Sequence, residues 1–202
     1  MPSPPSFDLP SLVTRLRRTI EQAPADASGK RASVAAILRE GPSREAEILL
    51  IRRAEHPRDP WSGHMAFPGG RRDESDRDLL HTAIREAKEE VGLDLERHGT
   101  VLGYLGELPA VARGLRTGLV IDPFVFALHT DAPLAFDPDE VAEALWTPLA
   151  PLFRGEGAGT YRYHHEGHDL DLPCLRVGDR IVWGLTYRML QMLFEALQKG
   201  GD

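Results

Sequence analysis

Phe67-Pro68-Gly69-Gly70, a polar run from Arg71 to Asp78, and then a segment ending Arg85-Glu86-Ala87-Lys88-Glu89-Glu90-Val91-Gly92-Leu93 decide how the rest of this chain is read. A helix over about residues 78–91 stops at Gly92, where a C′ glycine belongs. Glu86, Glu89 and Glu90 then stand at i, i+3 and i+4, on one side of the helix within a single turn. Three crowded carboxylates repel, and they lie near the helix C-terminus, where the macrodipole disfavours negative charge. Lys88 lies off that face, whereas Arg85 reaches Glu89 at i+4. A solvated acidic face is the plain reading of such a trio; a cation held between the carboxylates is the functional one. Hard divalent ions such as magnesium take oxygen ligands and bind through a few carboxylates plus the oxygens of a phosphate. The stretch points to a metal-dependent site for a phosphorylated small molecule.

The composition agrees with that class. The chain has 202 residues, 42% of them hydrophobic and 27% charged, which suits an ordinary globular domain large enough to bury its own core. A net charge of −7 argues against a general nucleic-acid binder, which needs clustered cations. A small anionic ligand stays open, because Arg52, Arg53, Arg58, Arg71, Arg72 and Arg77 fall close together in sequence. The one cysteine, Cys174, excludes an intrachain disulfide and a multi-cysteine zinc site, and reads as buried filler. No signal pattern, targeting tail or apolar run of spanning length stands out, so no membrane partner and a cytoplasmic location are expected.

The remaining elements follow from periodicity. Asp8 caps a first helix with Leu9, Leu12, Val13, Leu16 and Ile20 on its apolar face, and a polar linker runs to Lys30. Residues 1–30 thus form a helix and linker packed on a domain of residues 31–199. Ser33 to Leu38 and Glu47 to Arg52 read as strands, Arg53 to Met65 as a long loop of the kind that is often functional. Ser75 is expected to open a capping box for the central helix. Val101 to Leu108 and Leu119 to Leu128 read as strands, the second apolar enough to be central, with a loop from Pro109 to Gly118 between them. Val141 to Thr147 is a strand or a short helix, Thr160 to His165 and Asp169 to Leu172 a hairpin. Leu185 to Leu197 is an amphipathic helix, and Trp146 and Trp183 are expected in the core. His164, His165 and His168 suggest a metal cluster, but adjacent strand residues point to opposite faces.

On these residues the chain resembles the Nudix hydrolases. Their box is Gly, five residues, Glu, seven residues, then Arg-Glu-apolar-any-Glu-Glu-any-Gly-apolar. Arg85, Glu86, Ala87, Glu89, Glu90, Gly92 and Leu93 match its second half at every specified position. The first half departs: Gly70 is one residue too far from Arg85, and Asp76, or nothing, replaces the first glutamate. Upstream, Leu49-Leu50-Ile51-Arg52-Arg53-Ala54, Arg58, Gly63 and Phe67-Pro68-Gly69-Gly70 resemble the signature of the subfamily that hydrolyses coenzyme A. Glu140-Val141 with Trp146 and Leu149, and Trp183-Gly184-Leu185-Thr186, resemble further landmarks.

The resemblance implies an α/β (α+β) fold, a Nudix-type α/β/α sandwich around a mixed sheet. It implies magnesium or manganese as cofactor, with Glu86 and Glu90 as direct ligands and Glu89 as a further ligand or a base. Arg85 would orient the carboxylates, Gly69 and Gly70 would bring the backbone close to metal or phosphate, and Glu140 is the candidate general base outside the box. Arg53, Arg58, Arg71 and Arg72 would meet the 3′-phosphate of coenzyme A. Two alternatives stand beside this reading: the same chemistry on ADP-ribose, a dinucleotide or a nucleoside triphosphate, and a Nudix-fold module that senses a nucleotide without cutting it.

Overall fold

Strand β1 (Lys30–Glu40) is buried along nearly its whole length, so both of its faces must be covered. Its side chains divide by parity: Val34, Ala36 and Leu38 enter one apolar cluster, Ala35 and Ile37 another. A sheet with a core on each face needs a layer of helix on each side. The computed structural model, which describes residues 6–19, 28–56, 61–112, 115–165 and 167–200, has that arrangement.

Helix α1 (Leu9–Thr19) precedes β1, and β2 (Ala46–Arg53), β3 (Met65–Ala66) and β4 (Gly69–Arg71) follow it. Next come α2 (Leu79–Val91), α3 (Leu95–His98), β5 (Gly99–Tyr104), β6 (Leu108–Ala112) and β7 (Leu115–Leu128). The chain continues through β8 (Val141–Pro148), α4 (Leu149–Phe153), β9 (Ala158–His165), β10 (His168–Val177), β11 (Arg180–Trp183) and α5 (Gly184–Lys199). Strands β1 to β8 make one mixed sheet in which β1 and β7 run parallel, from Lys30 beside Leu119 to Leu38 beside Ala127. Helix α2 supplies Leu79, Ala83, Ala87 and Val91 to the cluster on one face. Leu12 and Leu16 of α1 and Leu190, Leu193 and Leu197 of α5 fill the other. The α/β/α sandwich is as expected.

The sheet forks where it matters. β1 pairs with β2 only at Leu38 to Glu40; farther back, Ala32 to Val34 pair with β4 instead. β2 likewise turns from β1 to β3, at Ile51 and Arg52. The two strands therefore diverge, and Met65 to Arg71 fills the gap, one short strand on each arm. Phe67, 1% exposed, wedges between them, and the Pro68 carbonyl accepts the Ala35 N–H at 2.8 Å.

Three expectations need correction. Pro109 to Gly118 is not a loop: β6 folds back on β7 as a hairpin, which the apolar residues Leu108, Ala110 and Val111 permit. Asp78, not Ser75, caps α2, its carboxylate accepting the His81 N–H at 2.7 Å, while Ser75 sits in an Asp73 turn. Trp146 and Trp183 are half-buried rather than core, Trp146 lying 4.2 Å under the Arg39 guanidinium. Val141 to Pro148 is a strand, and the expected hairpin is β9–β10, extended by β11 into a separate antiparallel sheet. Ile20 and the linker to Ala27 lie outside the described residues.

One buried ionic network ties β1, β5 and β7. Arg31 binds Asp122 through Nε (2.9 Å) and Nη2 (2.5 Å), Nη2 also meets Glu107 at 2.8 Å, and the Tyr104 hydroxyl donates to Asp122 at 2.8 Å. Asp122 is fully buried, so removing its cation alone strands a charge. Arg31→Met should cost about 3 kcal/mol in urea unfolding, and the double variant Arg31→Met/Asp122→Leu should regain much of that loss. A single variant within about 0.5 kcal/mol of wild type would show that the network carries no stability.

Candidate active site

Helix α2 is defined at both ends by its own sequence. Asp78 caps the start, and Gly92, at φ 73°, ends it with its N–H turned back to the Ala87 and Lys88 carbonyls. Leu79, Ala83, Ala87 and Val91 face the sheet, and the alanines let the helix lie close to it. The neighbouring stripe carries Thr82, Glu86 and Glu90, and the next one Arg85 and Glu89. Lys88 points elsewhere, to Asp94 at 3.1 Å.

Arg85 is the hub. Its Nε and Nη2 each lie 3.0 Å from an oxygen of Asp76, and Nη2 also donates to the Arg71 carbonyl at 3.1 Å. Its Nη1 meets Glu86 at 2.8 Å and Glu89 at 2.7 Å, so the i+4 contact expected from sequence is present. The Asp76 side chain is fully buried and also receives Thr82 Oγ1 (2.9 Å) and the Asp73 N–H (2.9 Å), with His81 Nδ1 at 3.0 Å. Burial alone would raise its pKa, but Arg85 and these donors hold it well below the usual carboxylate range. Asp76 thus anchors Arg85 rather than facing a ligand. The sequence left its role open; an aspartate nine residues before the box arginine, close to where the box glutamate is missing, was the available signal.

Gly69 and Gly70 make room for the carboxylates. Glu90, 6% exposed, accepts the Gly69 N–H at 2.8 Å and has Arg53 Nη1 at 3.8 Å. A Cβ on Gly70 would stand 2.5 Å from the carboxylate of Glu86, and one on Gly69 would stand 2.3 Å from the Ser33 carbonyl oxygen. Gly69 also has φ 157°, which side chains rarely adopt. The expectation is close approach to metal or phosphate; the groups that the glycine backbone approaches in the structure are Glu86, Glu90 and β1.

Burial pushes the Glu90 carboxyl up to about 7, against the pull of Gly69 and Arg53, and the charges of Glu86 and Glu140 add to the rise. Burial also raises Glu86, opposed by Arg85. Two carboxylates that resist ionisation, an all-oxygen donor set, and a cradle kept clear by glycine fit a hard divalent cation. Among the described residues no three ligating groups yet converge on one point. Glu86 and Glu89 instead share the positive charge of Arg85, and to hold a metal the exposed Glu89 must turn from it.

The other expected residues scatter. Glu140 is exposed in a turn at the rim; its carbonyl accepts the Ala54 N–H at 2.9 Å, next to Arg53, and its charge is felt by Glu90. Arg71 and Arg72 are exposed, Arg72 reaching the Asp76 carbonyl at 3.4 Å. Arg58 lies outside the described residues. His164 pairs with Asp169 at 2.7 Å on an exposed strand, and the side chains of His165 and His168 lie outside the description.

Comparison with known proteins agrees with this geometry. The family model described as NUDIX domain matches residues 29–164. A Nudix hydrolase NudL of Yersinia pestis, itself uncharacterized, is 31% identical over 149 residues, covering 74% of this chain and 71% of its own. An uncharacterized protein of Schizosaccharomyces pombe is 41% identical over 111 residues; this is 54% of the chain but 34% of that protein, so the match spans about a third of the relative. Among solved structures, a MutT/nudix family protein of Enterococcus faecalis has TM-score 0.57 at 16% identity, covering 95% of this chain and 70% of its own. A Caenorhabditis elegans Ap4A hydrolase in a binary complex has TM-score 0.50 at 21% identity, with 62% and 85% covered. Identities that low speak for the fold alone. With the box helix, its glycine cradle and the sequence match in agreement, the chain belongs to the Nudix family.

Proposed function

We propose that this protein is a magnesium- or manganese-dependent pyrophosphohydrolase acting on coenzyme A or a close derivative, which it cuts to 3′,5′-adenosine bisphosphate and 4′-phosphopantetheine. The observation that carries the reading is the meeting of two sequence signatures at one carboxylate. Arg53 comes from the upstream signature and Gly69 from the glycine pair, and both reach Glu90 of the box. The upstream signature resembles that of enzymes for coenzyme A and favours it over ADP-ribose, a dinucleotide or a nucleoside triphosphate.

A pyrophosphate resists hydrolysis because its negative oxygens repel hydroxide. A divalent ion held here would neutralise those oxygens and lower the pKa of a water, favouring its attack on one phosphorus with loss of the bridging oxygen. Glu86 and Glu90 are the ligands this chain offers from its half-buried and buried positions, and Glu89 is the third, directly or through water. Arg85, clamped by Asp76, sets the directions of Glu86 and Glu89. Glu140, on the rim, is the candidate to accept the proton of the attacking water. Arg71 and Arg72 offer exposed cations for substrate phosphates, and Arg53 adds a half-buried one beside Glu90. Water exclusion at the ligands comes from the sheet fork beneath them, since Gly69 and Phe67 are buried.

Product identification with coenzyme A, dephospho-coenzyme A and ADP-ribose, each with magnesium, tests the substrate. Coenzyme A should give the highest kcat/KM; a preference for ADP-ribose would overturn that part of the reading. Glu86→Gln and Glu90→Gln should each lower kcat by at least about a hundredfold with the circular dichroism spectrum retained. A wild type with no metal-stimulated cleavage of any diphosphate would leave the nucleotide-sensing module instead.

The raised Glu90 makes a separate, metal-free prediction. The folded state holds this proton up to about pH 7, the unfolded state only to the ordinary carboxylate range. The group therefore favours folding at acid pH, and that contribution is lost as pH rises through 7. Glu90→Gln should raise the Tm of metal-free protein by several degrees at about pH 8 and change it little at about pH 5. An equal shift at both pH values would place the cause elsewhere.

A further inference from the structure

We propose that the rings of His64, Tyr161, Tyr163 and Trp183 form a platform on which the substrate's nucleobase stacks. The proposal rests on the pyrophosphohydrolase reading above and deepens it. Trp183 is the centre: ring centroids lie 4.6 Å away for His64, 4.7 Å for Tyr161 and 4.9 Å for Tyr163. The two tyrosines are tilted 37° and 38° from its plane, nearer to stacked than to edge-on. Rings gathered for packing alone are expected in a core, yet all four keep part of their surface in solvent. They belong to neither apolar cluster of the main sheet.

Strand pairing explains how they come together. Tyr161 and Tyr163 alternate with exposed Arg162 and His164 on β9, so both rings stand on one face of the small sheet. Trp183 pairs with Cys174 on β10, which in turn pairs with Gly159, so it projects from that same face.

The platform is fastened to the phosphate centre. The His64 carbonyl accepts the Arg53 N–H at 3.0 Å, and Arg53 is the residue that reaches Glu90. Thr186 Oγ1 donates to the Met65 carbonyl at 2.8 Å, fixing the Trp183 end of β11 beside β3. Arg180 of β11 grips Glu143 of β8 through two contacts of 2.6 Å. Gly69 lies five positions after His64, at most about 17 Å of chain. A nucleoside and its diphosphate bridge a span of that order, with the phosphates at Glu86 and Glu90 and the base on the rings. Planar aromatic groups stack on any nucleobase and are indifferent to a flexible amide chain, so the base half of the substrate is the occupant. Strands β10 and β11 also lie beyond residues 29–164, the part matched to the family.

Product inhibition of coenzyme A cleavage with magnesium tests the platform, in wild type, Trp183→Ala, Tyr163→Leu and Trp183→Phe. Inhibition by 3′,5′-adenosine bisphosphate should weaken roughly tenfold in Trp183→Ala and Tyr163→Leu and recover in Trp183→Phe. Inhibition by 4′-phosphopantetheine, which has no base, should stay as in wild type. Equal weakening toward both products, or none toward the bisphosphate, overturns the platform. If Trp183→Ala fails to fold, Tyr163→Leu carries the comparison. If the wild type cleaves no coenzyme A, the substrate reading has failed on its own account, and equilibrium dialysis of 3′,5′-adenosine bisphosphate decides for the platform. Binding that depends on the two rings supports it; binding that ignores them, or no binding, sinks it.

Discussion

The site hangs on one ion pair, the two-point grip of Arg85 on buried Asp76. Burying a carboxylate is costly, and the cost is offset only when every acceptor position is filled with good geometry. Here Arg85 takes both oxygens, and Thr82, His81 and the Asp73 amide take what remains. The guanidinium is then held as part of the framework, and its free edge has a fixed address. That edge meets Glu86 and Glu89, and its other nitrogen takes the Arg71 carbonyl at the end of β4. A single cation thus locks the box helix to the glycine strand and aims two carboxylates at once. Lysine has the charge but not the planar fork, so the pattern needs arginine.

Glu90 is governed by the opposite principle. Its carboxylate has no equally strong partner: a backbone N–H at 2.8 Å and a distant guanidinium do not compensate its burial. The protein therefore holds Asp76 in full ion pairing and leaves the burial of Glu90, a member of the trio, uncompensated. A bare helix with this sequence would suffer from both crowding and its own dipole. A divalent cation bound between the carboxylates would relieve both.

The helix, its end at Gly92, the Arg85–Glu89 contact and the two-sided core were legible because each depends on short-range spacing. The apolar run from Leu119 to Leu128 told that its strand is central, and periodicity told where α2 lies. What was not legible depends on pairing between distant strands. Val111 and Ala112 could be read as a loop because no local signal says that they fold onto Leu115 and Arg116. The role of Asp76 was open because its partner lies nine residues on and its burial is a tertiary fact. Trp183 read as core because a large aromatic beside apolar residues has that local appearance, whereas its sheet turns it toward His64 and the tyrosines.

The fork between β1 and β2 explains why these centres lie side by side. Two strands that stayed paired along their full length would leave no room for the segment from Met65 to Arg71. Because they diverge, each arm takes one short strand, and Phe67 and Pro68 cross between them. The β4 arm carries Gly69 and Gly70 to the carboxylates of α2. The β3 arm carries His64 toward β11, and the Thr186 bond to Met65 closes that junction. Any shift in the fork moves both arms together, so the separation of the α2 carboxylates from the rings follows the crossing of Phe67 and Pro68. A buried phenylalanine with 1% of its surface exposed is suited to that task, since a smaller wedge would leave a cavity where the arms part.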